Sequence, residues 1–350
     1  MVKHIRVGKT TLHFREPFQI AYEKVESAPV ILVELHDEKG RVGLGSAAPD
    51  EEVSGENIDR LAALLRKDLR EDFFSHPEED WRWYKEKLSK AFENYPSGHA
   101  AVETALMHLA ALRKNADPQS FFGACRDSCD LVVTVGIKSI PETKKEVEKR
   151  LEEGCRTIKL KCGIDPDEDI EKIHMVRELI PKNKKLLLDA NQGYSLKDAR
   201  RVLQAVRSLD IAGIEQPVKA KRHEELKSLR ALDITPIIAD EGAKTKEEAF
   251  RLLREDYVDG INVKLMKYGG PSVCEEILEY ALSRSKLTML GCMYESNVSI
   301  TAAAYLALAH PVHFVDLDSG HFDFDDDPTA DGAYVENGTL RIRGIPKLKT

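Results

Sequence analysis

Thr157-Ile-Lys-Leu-Lys-Cys-Gly163 is a short β-branched and apolar run carrying two lysines, two positions apart. It reads as a strand. Side chains alternate faces along a strand, so Lys159 and Lys161 share one face and Ile158 and Leu160 the other. Two ammonium groups side by side on a buried strand repel each other and are costly to desolvate. A lone Lys-x-Lys is ordinarily an edge strand with one wet face. The flanking segments argue against that reading.

Upstream, Leu131–Ile137 is an apolar run, and Glu142–Gly154 reads as a helix closed by glycine. Downstream, Asp167–Ile180 reads as a helix. The alternation continues with strands at Leu186–Asp189, Gly213–Glu215, Pro236–Asp240, Gly260–Lys264, Leu287–Leu290 and Val312–Asp316. The helices between them are Leu196–Leu209, His223–Leu232, Lys246–Glu255, Pro271–Arg284 and Asn297–Ala309. Eight strand–helix units recur about every 25 residues, the last helix being the weakest, which predicts parallel βαβ units closed into a (β/α)8 barrel. A doubly wound open sheet is the alternative. The unit count and the positions of the charged residues favour the barrel.

Residues 1–120 have a different rhythm. His4–Arg15 alternates, Val30–His36 is β-branched, and Glu38-Lys-Gly-Arg41 suits a hairpin turn. Gly43-Leu-Gly45 lacks the third glycine and the following helix of a dinucleotide fingerprint. Helices are expected at Asn57–Leu69, Trp81–Phe92 and Ser97–Arg113, the last capped by Ser97. The fold class is therefore α/β. An α+β capping domain (1–120) precedes the barrel (121–325), and a C-terminal segment (326–350) is expected to return to the cap.

Composition narrows the function. The chain has 350 residues, 42% hydrophobic and 32% charged, with a net charge of -8. That balance carries no nucleic-acid footprint. The start has no apolar signal core, and no segment reaches the roughly 18 apolar residues of a membrane helix, so the cytoplasm is the expected location and a membrane partner is not. The six cysteines lack zinc-ribbon spacing. Cys125 and Cys129 allow a metal site or a disulfide, but ordinary thiols are expected in a cytosolic chain.

The barrel reading gives the charges a place. Functional groups of such barrels sit at the C-terminal ends of the strands. Those ends carry Lys161, Asp189, Glu215, Asp240, Lys264, and the pair Asp316 and Asp318. One such charge is explained equally well by helix capping; the sign order is not. Asp189, Glu215 and Asp240 lie on three consecutive strands and would repel without a divalent cation. Oxygen ligands without His or Cys point to Mg²⁺ over Zn²⁺. Lys161 and Lys264 lie four strands apart, on opposite sides of the mouth, and Asp316/Asp318 face the carboxylate arc. One small molecule fits that layout, with its carboxylate on the metal, its cation on the aspartates and one carbon between two amines. This is a setting for proton transfer beside a carboxylate through an enediolate. Repulsion between Lys159 and Lys161, with burial, is expected to lower an amine pKa toward that of a base. Two opposed bases suit racemisation or epimerisation; one base suits elimination or cycloisomerisation.

These residues resemble the enolase superfamily, in its muconate lactonising subgroup, and most of all the dipeptide epimerases. The resemblance spans nearly the whole chain and rests on Lys159-Leu-Lys161, Asp189-Ala-Asn191, Glu215-Gln-Pro217, Ala239-Asp240-Glu241, Asn262-Val-Lys264-Leu-Met-Lys267 and Asp316-Leu-Asp318. It implies one Mg²⁺ held by Asp189, Glu215 and Asp240, an acid/base pair Lys161 and Lys264, and an assisting Lys159. Asp316 and Asp318 would hold a dipeptide's ammonium group, with Thr134, Asn191 and Tyr294 near the substrate. Ser46 and Gly242 depart from the family's usual Glu and Ser. Members acting on L-Ala-L-Glu carry an arginine in the first capping loop, where this chain has Glu23. An acid there disfavours a glutamyl side chain and suits a cationic or neutral one, unless Lys24 neutralises it. A cycloisomerase, an o-succinylbenzoate synthase, an N-acylamino acid racemase and a catalytically dead binding barrel are the competing readings. The acidic run His321–Asp327 is expected to be a solvated loop. Barrels of this kind often form homo-oligomers, but the sequence carries no diagnostic surface for it.

Overall fold

The computed structural model describes residues 2–74, 76, 80–123 and 126–349. Three antiparallel strands, β1 (Val2–Gln19), β2 (Lys24–Asp37) and β3 (Val42–Ala47), open the chain in that sheet order. Helices α1 (Ile58–Asp68), α2 (Lys85–Ala91) and α3 (Pro96–Lys114) cover the sheet. Gly43 and Gly45 let β3 lie against α3: a Cβ on Gly45 would stand 1.8 Å from the Ala101 carbonyl oxygen, and one on Gly43 2.1 Å from that of Ala105. The glycine pair thus serves backbone approach. Two expectations fail locally. Trp81–Phe92 breaks into a 3₁₀ turn (Trp81–Tyr84) and the short α2. Ser97 is not the N-cap of α3. Pro96 opens the helix, and Ser97 Oγ donates to Glu56 Oε1 at 2.7 Å while its N–H donates at 3.1 Å. A buried acid from another segment does the capping.

After β4 (Cys129–Asp130) comes the barrel: β5 (Val132–Val135), α4 (Ile140–Glu152), β6 (Thr157–Lys161), α5 (Pro166–Leu179), β7 (Lys185–Asp189), α6 (Leu196–Ala205), β8 (Gly213–Glu215), α7 (His223–Arg230), β9 (Ile237–Ala239), α8 (Lys246–Arg254), β10 (Gly260–Lys264), α9 (Leu265–Tyr268), α10 (Pro271–Ser283), β11 (Leu287–Gly291), α11 (Asn297–Ala309) and β12 (Phe314–Asp316). The eight strands β5–β12 pair in sequence order, and a parallel bridge between Leu131 and Val315 closes the ring. The weak eighth helix is absent; a 3₁₀ turn at Gly320–Phe322 follows β12. Inside, Val132, Leu187, Ile238 and Met289 from alternate strands, with Phe314, form an apolar layer that plugs the barrel floor. The charged strand ends lie beyond that plug.

Asp326 reaches the cap at His13, 2.6 Å away, but the hairpin β13 (Thr329–Glu336) and β14 (Thr339–Leu348) turns to the barrel. Its strand pairing is with β4, Leu340 opposite Cys129, and Ala333 N–H donates to Thr301 Oγ1 on α11 at 2.8 Å. Buried Ala333 and Leu340 find their apolar cover at the barrel wall. The cap is instead tied to the barrel through α3, where the buried Glu103 carboxylate accepts the Ser272 N–H at 3.2 Å and the Ser272 hydroxyl. Gly270 makes room for it, since a Cβ there would lie 2.3 Å from Glu103 Oε2. Cys129, Cys155, Cys162, Cys274 and Cys292 are free thiols; Cys125 lies outside the described residues. Among the described residues no helix is long and apolar enough to cross a membrane.

Candidate active site

Parallel register sets the site in two rows. Lys161 pairs with Asp189, and Asp189 with Glu215, across β6, β7 and β8. Lys264 pairs with Gly291, and Gly291 with Asp316, across β10, β11 and β12. Gly291 carries no side chain because Asn262 fills its space: a Cβ would meet Asn262 Oδ1 at 2.4 Å. Asn191, Gln192 and Gln216 follow strand ends with positive φ of 40°, 67° and 35°. Strained backbone of this kind is held in place by its surroundings.

The side chains converge as a charge network. Lys159 Nζ lies 2.6 Å from Asp316 Oδ2, 3.0 Å from Glu215 Oε2 and 3.3 Å from Asp189 Oδ2. Lys161 Nζ lies 2.6 Å from Asp189 Oδ2 and 2.9 Å from Asn191 Oδ1. On the other side Lys264 Nζ meets Asp240 Oδ2 at 2.7 Å. Burial works against the Lys159 charge, but Asp316, Glu215 and Asp189 hold its amine well above the ordinary lysine value. Lys264 is likewise held high, by Asp240 and Glu215. The expected downward shift from Lys159–Lys161 repulsion therefore does not appear at Lys159. In this charge state, carboxylates outweigh the neighbouring ammonium.

The acids show the complementary strain. Burial and the Asp189 charge push Glu215 up to about 8, and burial with Asp240 and Asp189 pushes Glu241 up to about 7. Burial opposes ionisation of Asp240 as well, yet Lys264 and Lys267 hold it far below the usual carboxylate range. Buried Glu241 Oε2, Asp316 Oδ1 and Asn262 Oδ1 have no hydrogen-bond partner. A patch of buried oxygen donors with raised acids and orphaned lone pairs suits a hard divalent cation. Asp189, Glu215 and Asp240 could supply its ligands from three neighbouring strand ends; each now bonds a lysine.

A cavity of about 650 Å³ joins these groups to the other expected residues. Thr134, at the end of β5, lines it and donates its N–H to Asp318 Oδ2 at 2.6 Å. Glu23 reaches it from the β1–β2 hairpin tip. There it bonds the Tyr294 hydroxyl, not Lys24, and burial and nearby Asp50 raise its pKa. Phe14 packs edge-on against Tyr294 with ring centres 5.0 Å apart. Two further residues, Lys267 and Asn262, join the network. Lys267 Nζ, fully buried, donates to Asp240 Oδ1 at 2.7 Å, to the Asp240 carbonyl at 2.8 Å and to the Asn262 carbonyl at 2.9 Å. Asn262 Nδ2 donates to Glu215 Oε1 at 2.6 Å. The acidic run is only partly solvated. Asp327 is buried, accepting from the N–H groups of Asn297 and Thr329.

Comparison with known proteins agrees with this layout. Residues 3–121 match the mandelate racemase/muconate lactonizing enzyme N-terminal domain, and residues 142–346 the enolase C-terminal domain-like family. An L-Ala-D/L-Glu epimerase of Clostridium acetobutylicum is 31% identical over 99% of this chain and 98% of its own. An L-Lys-D/L-Arg epimerase of Methylococcus capsulatus is 33% identical over 97% and 96%. The Enterococcus faecalis dipeptide epimerase solved with Mg and L-Leu-L-Tyr superposes with a TM-score of 0.90 at 28% identity, covering 98% of each chain. With a capping sheet and an eight-stranded barrel each matched by its own family model, the chain belongs to the mandelate racemase/muconate lactonizing enzyme family of the enolase superfamily.

Proposed function

We propose that this protein is a Mg²⁺-dependent dipeptide epimerase that inverts the α-carbon of the C-terminal residue by two-base proton transfer. The observation that carries the reading is the pair Lys161 and Lys264, anchored on Asp189 and Asp240 at opposite strand ends of one cavity. Asp189, Glu215 and Asp240, which now hold the lysines charged, would hold the cation, whose chemistry would be positive charge for the substrate carboxylate. Lys161 takes or returns the α-proton on one face and Lys264 on the other. Lys159 stays charged beside the developing enediolate. Asp316 and Asp318 receive the α-ammonium; Asp316 Oδ1 is buried and, among the described residues, has no hydrogen-bond partner. Asn191 steadies Lys161, and Thr134 steadies Asp318. Cycloisomerase and N-acylamino acid racemase readings lack an ammonium for the aspartate pair.

The relatives' names differ in the side chains they describe, so the side chain needs its own argument. Glu23, with Asp50 near it and Tyr294 and Tyr22 around it, makes the cap-side wall acidic and aromatic. That wall favours a cationic or neutral C-terminal side chain over Glu. The test measures kcat/KM for Ala-Lys, Ala-Phe and Ala-Glu; a strong Ala-Glu preference refutes the side-chain assignment. For the chemistry, Lys161→Ala and Lys264→Ala are each expected to abolish epimerisation, while one of them still exchanges the α-proton of a single isomer in D₂O. Full epimerase activity in either overturns the two-base reading.

A further inference from the structure

Four aspartates crowd the run Asp323-Phe-Asp-Asp-Asp327 after the last barrel strand, and three are committed. Asp325 pairs with Arg15 at 2.7 Å, Asp326 with His13 at 2.6 Å, and Asp327 caps the N–H groups of Asn297 and Thr329. Phe324 packs on Phe14, ring centres 4.6 Å apart, which turns Asp323 inward. Asp323 lines the reaction cavity, and among the described residues no hydrogen bond or ion pair reaches its carboxylate. Burial and the Asp318 charge push its pKa well up.

The cations around it are already engaged. Arg150 bonds Glu153 at 3.0 Å and Glu146 at 3.4 Å and lies over the Phe322 ring, and Lys138 pairs with Glu146 at 2.6 Å. Arg15 holds Asp325, and Lys149 is exposed at the rim. The Asp318 charge acts on Asp323, so this lobe of the cavity adjoins the aspartate pair. With the ammonium at Asp316 and Asp318, the side chain of the N-terminal residue enters it, past the apolar surfaces of Phe322, Cys155 and Val335. A long methylene stem ending in a positive charge meets that corridor and its terminal acid.

We propose that Asp323 is a specificity-determining residue that receives a cationic side chain on the N-terminal residue of the dipeptide. This rests on the dipeptide-epimerase reading above. The test compares Lys-Ala with norleucine-Ala, which share the α-ammonium and a four-carbon stem and differ by the terminal ammonium group. The expected wild-type kcat/KM ratio is about tenfold in favour of Lys-Ala, or about 1.4 kcal/mol. Asp323→Asn is expected to bring the ratio near one, mainly through KM, while Asp323→Glu retains most of it. Asp325→Asn, altering an exposed acid of the same run, leaves the ratio as it is. A wild-type ratio near one refutes the proposal even if a variant fails to fold, and so does a ratio that survives Asp323→Asn. If dipeptides are epimerised without the ratio, only this inference falls; if none is epimerised, the functional reading falls with it.

Discussion

Replacing Lys267 by methionine keeps most of the stem volume and deletes one ammonium. That ammonium makes three hydrogen bonds of 2.7–2.9 Å inside a site with no solvent access, two of them to Asp240. Removing one partner of a buried ion pair costs about 3–5 kcal/mol when the remaining charge is left unpaired. Asp240 keeps Lys264 at 2.7 Å, which lowers that figure, while the orphaned carbonyls add about 1–3 kcal/mol each and bring the loss back to about 4 kcal/mol. An unfolding entropy of about 2.1 cal/mol/K per residue over 350 residues comes to about 0.7 kcal/mol/K, so a loss of about 4 kcal/mol lowers Tm by about 5–6 °C. Asp240 also loses the group that orients it, and loss of such a supporting contact weakens metal affinity by about 10–100-fold. Calorimetric melting reads the first effect and a Mg²⁺ titration by isothermal calorimetry the second. A variant that melts with the parent and binds Mg²⁺ equally well shows that Lys267 neither holds the barrel mouth nor orients Asp240.

Three further outcomes are expected. Burial raises Glu103 to about 7, so its contribution to stability is fully present below its unfolded value near 4.5 and is lost as pH rises through about 7; Glu103→Gln should gain Tm relative to the parent at pH 8 and not at pH 5. The predicted gain at pH 8 is up to about 3 kcal/mol, and parallel pH–Tm curves for the two proteins contradict it. Gly45→Ala places a methyl 1.8 Å from the Ala101 carbonyl oxygen, which should cost about 3 kcal/mol or more and show as a lower Tm or insoluble protein; a parent-like melt would mean that β3 and α3 separate easily. Chelation should stop α-proton exchange in D₂O and added Mg²⁺ restore it, whereas exchange that persists in chelator removes the metal from the mechanism.

Much of the site was legible because strand ends of a parallel barrel are countable. Once eight units are read, Lys161, Asp189, Glu215, Asp240, Lys264 and Asp316 fall at the ends of the second to sixth and the eighth strand, and register brings all but Asp240 into two rows. What failed depends on distant partners. Ser97 has the residue type of an N-cap, but Glu56 takes its hydroxyl and Pro96 starts the helix. The terminal hairpin pairs with two residues, Cys129–Asp130, too short to announce a strand. Two neighbouring lysines are visible in sequence, whereas the three carboxylates that converge on Lys159 depend on the fold. Lys267 stood in a recognised motif, yet nothing local says that its amine turns back under Asp240.

The β1–β2 hairpin lines the cavity from Phe14 through its tip at Glu23 and shares no backbone pairing with the strands that bear the lysines. On the proposed reading, recognition of the C-terminal side chain and proton transfer are therefore encoded in separable cassettes. Exchanging a few tip residues changes what the pocket accepts while the proton-transfer machinery stays on its rigid ring. For protein engineering, this makes the tip the natural place for a focused library: each variant keeps the same chemistry and samples a new substrate, so function can drift without passing through an inactive intermediate.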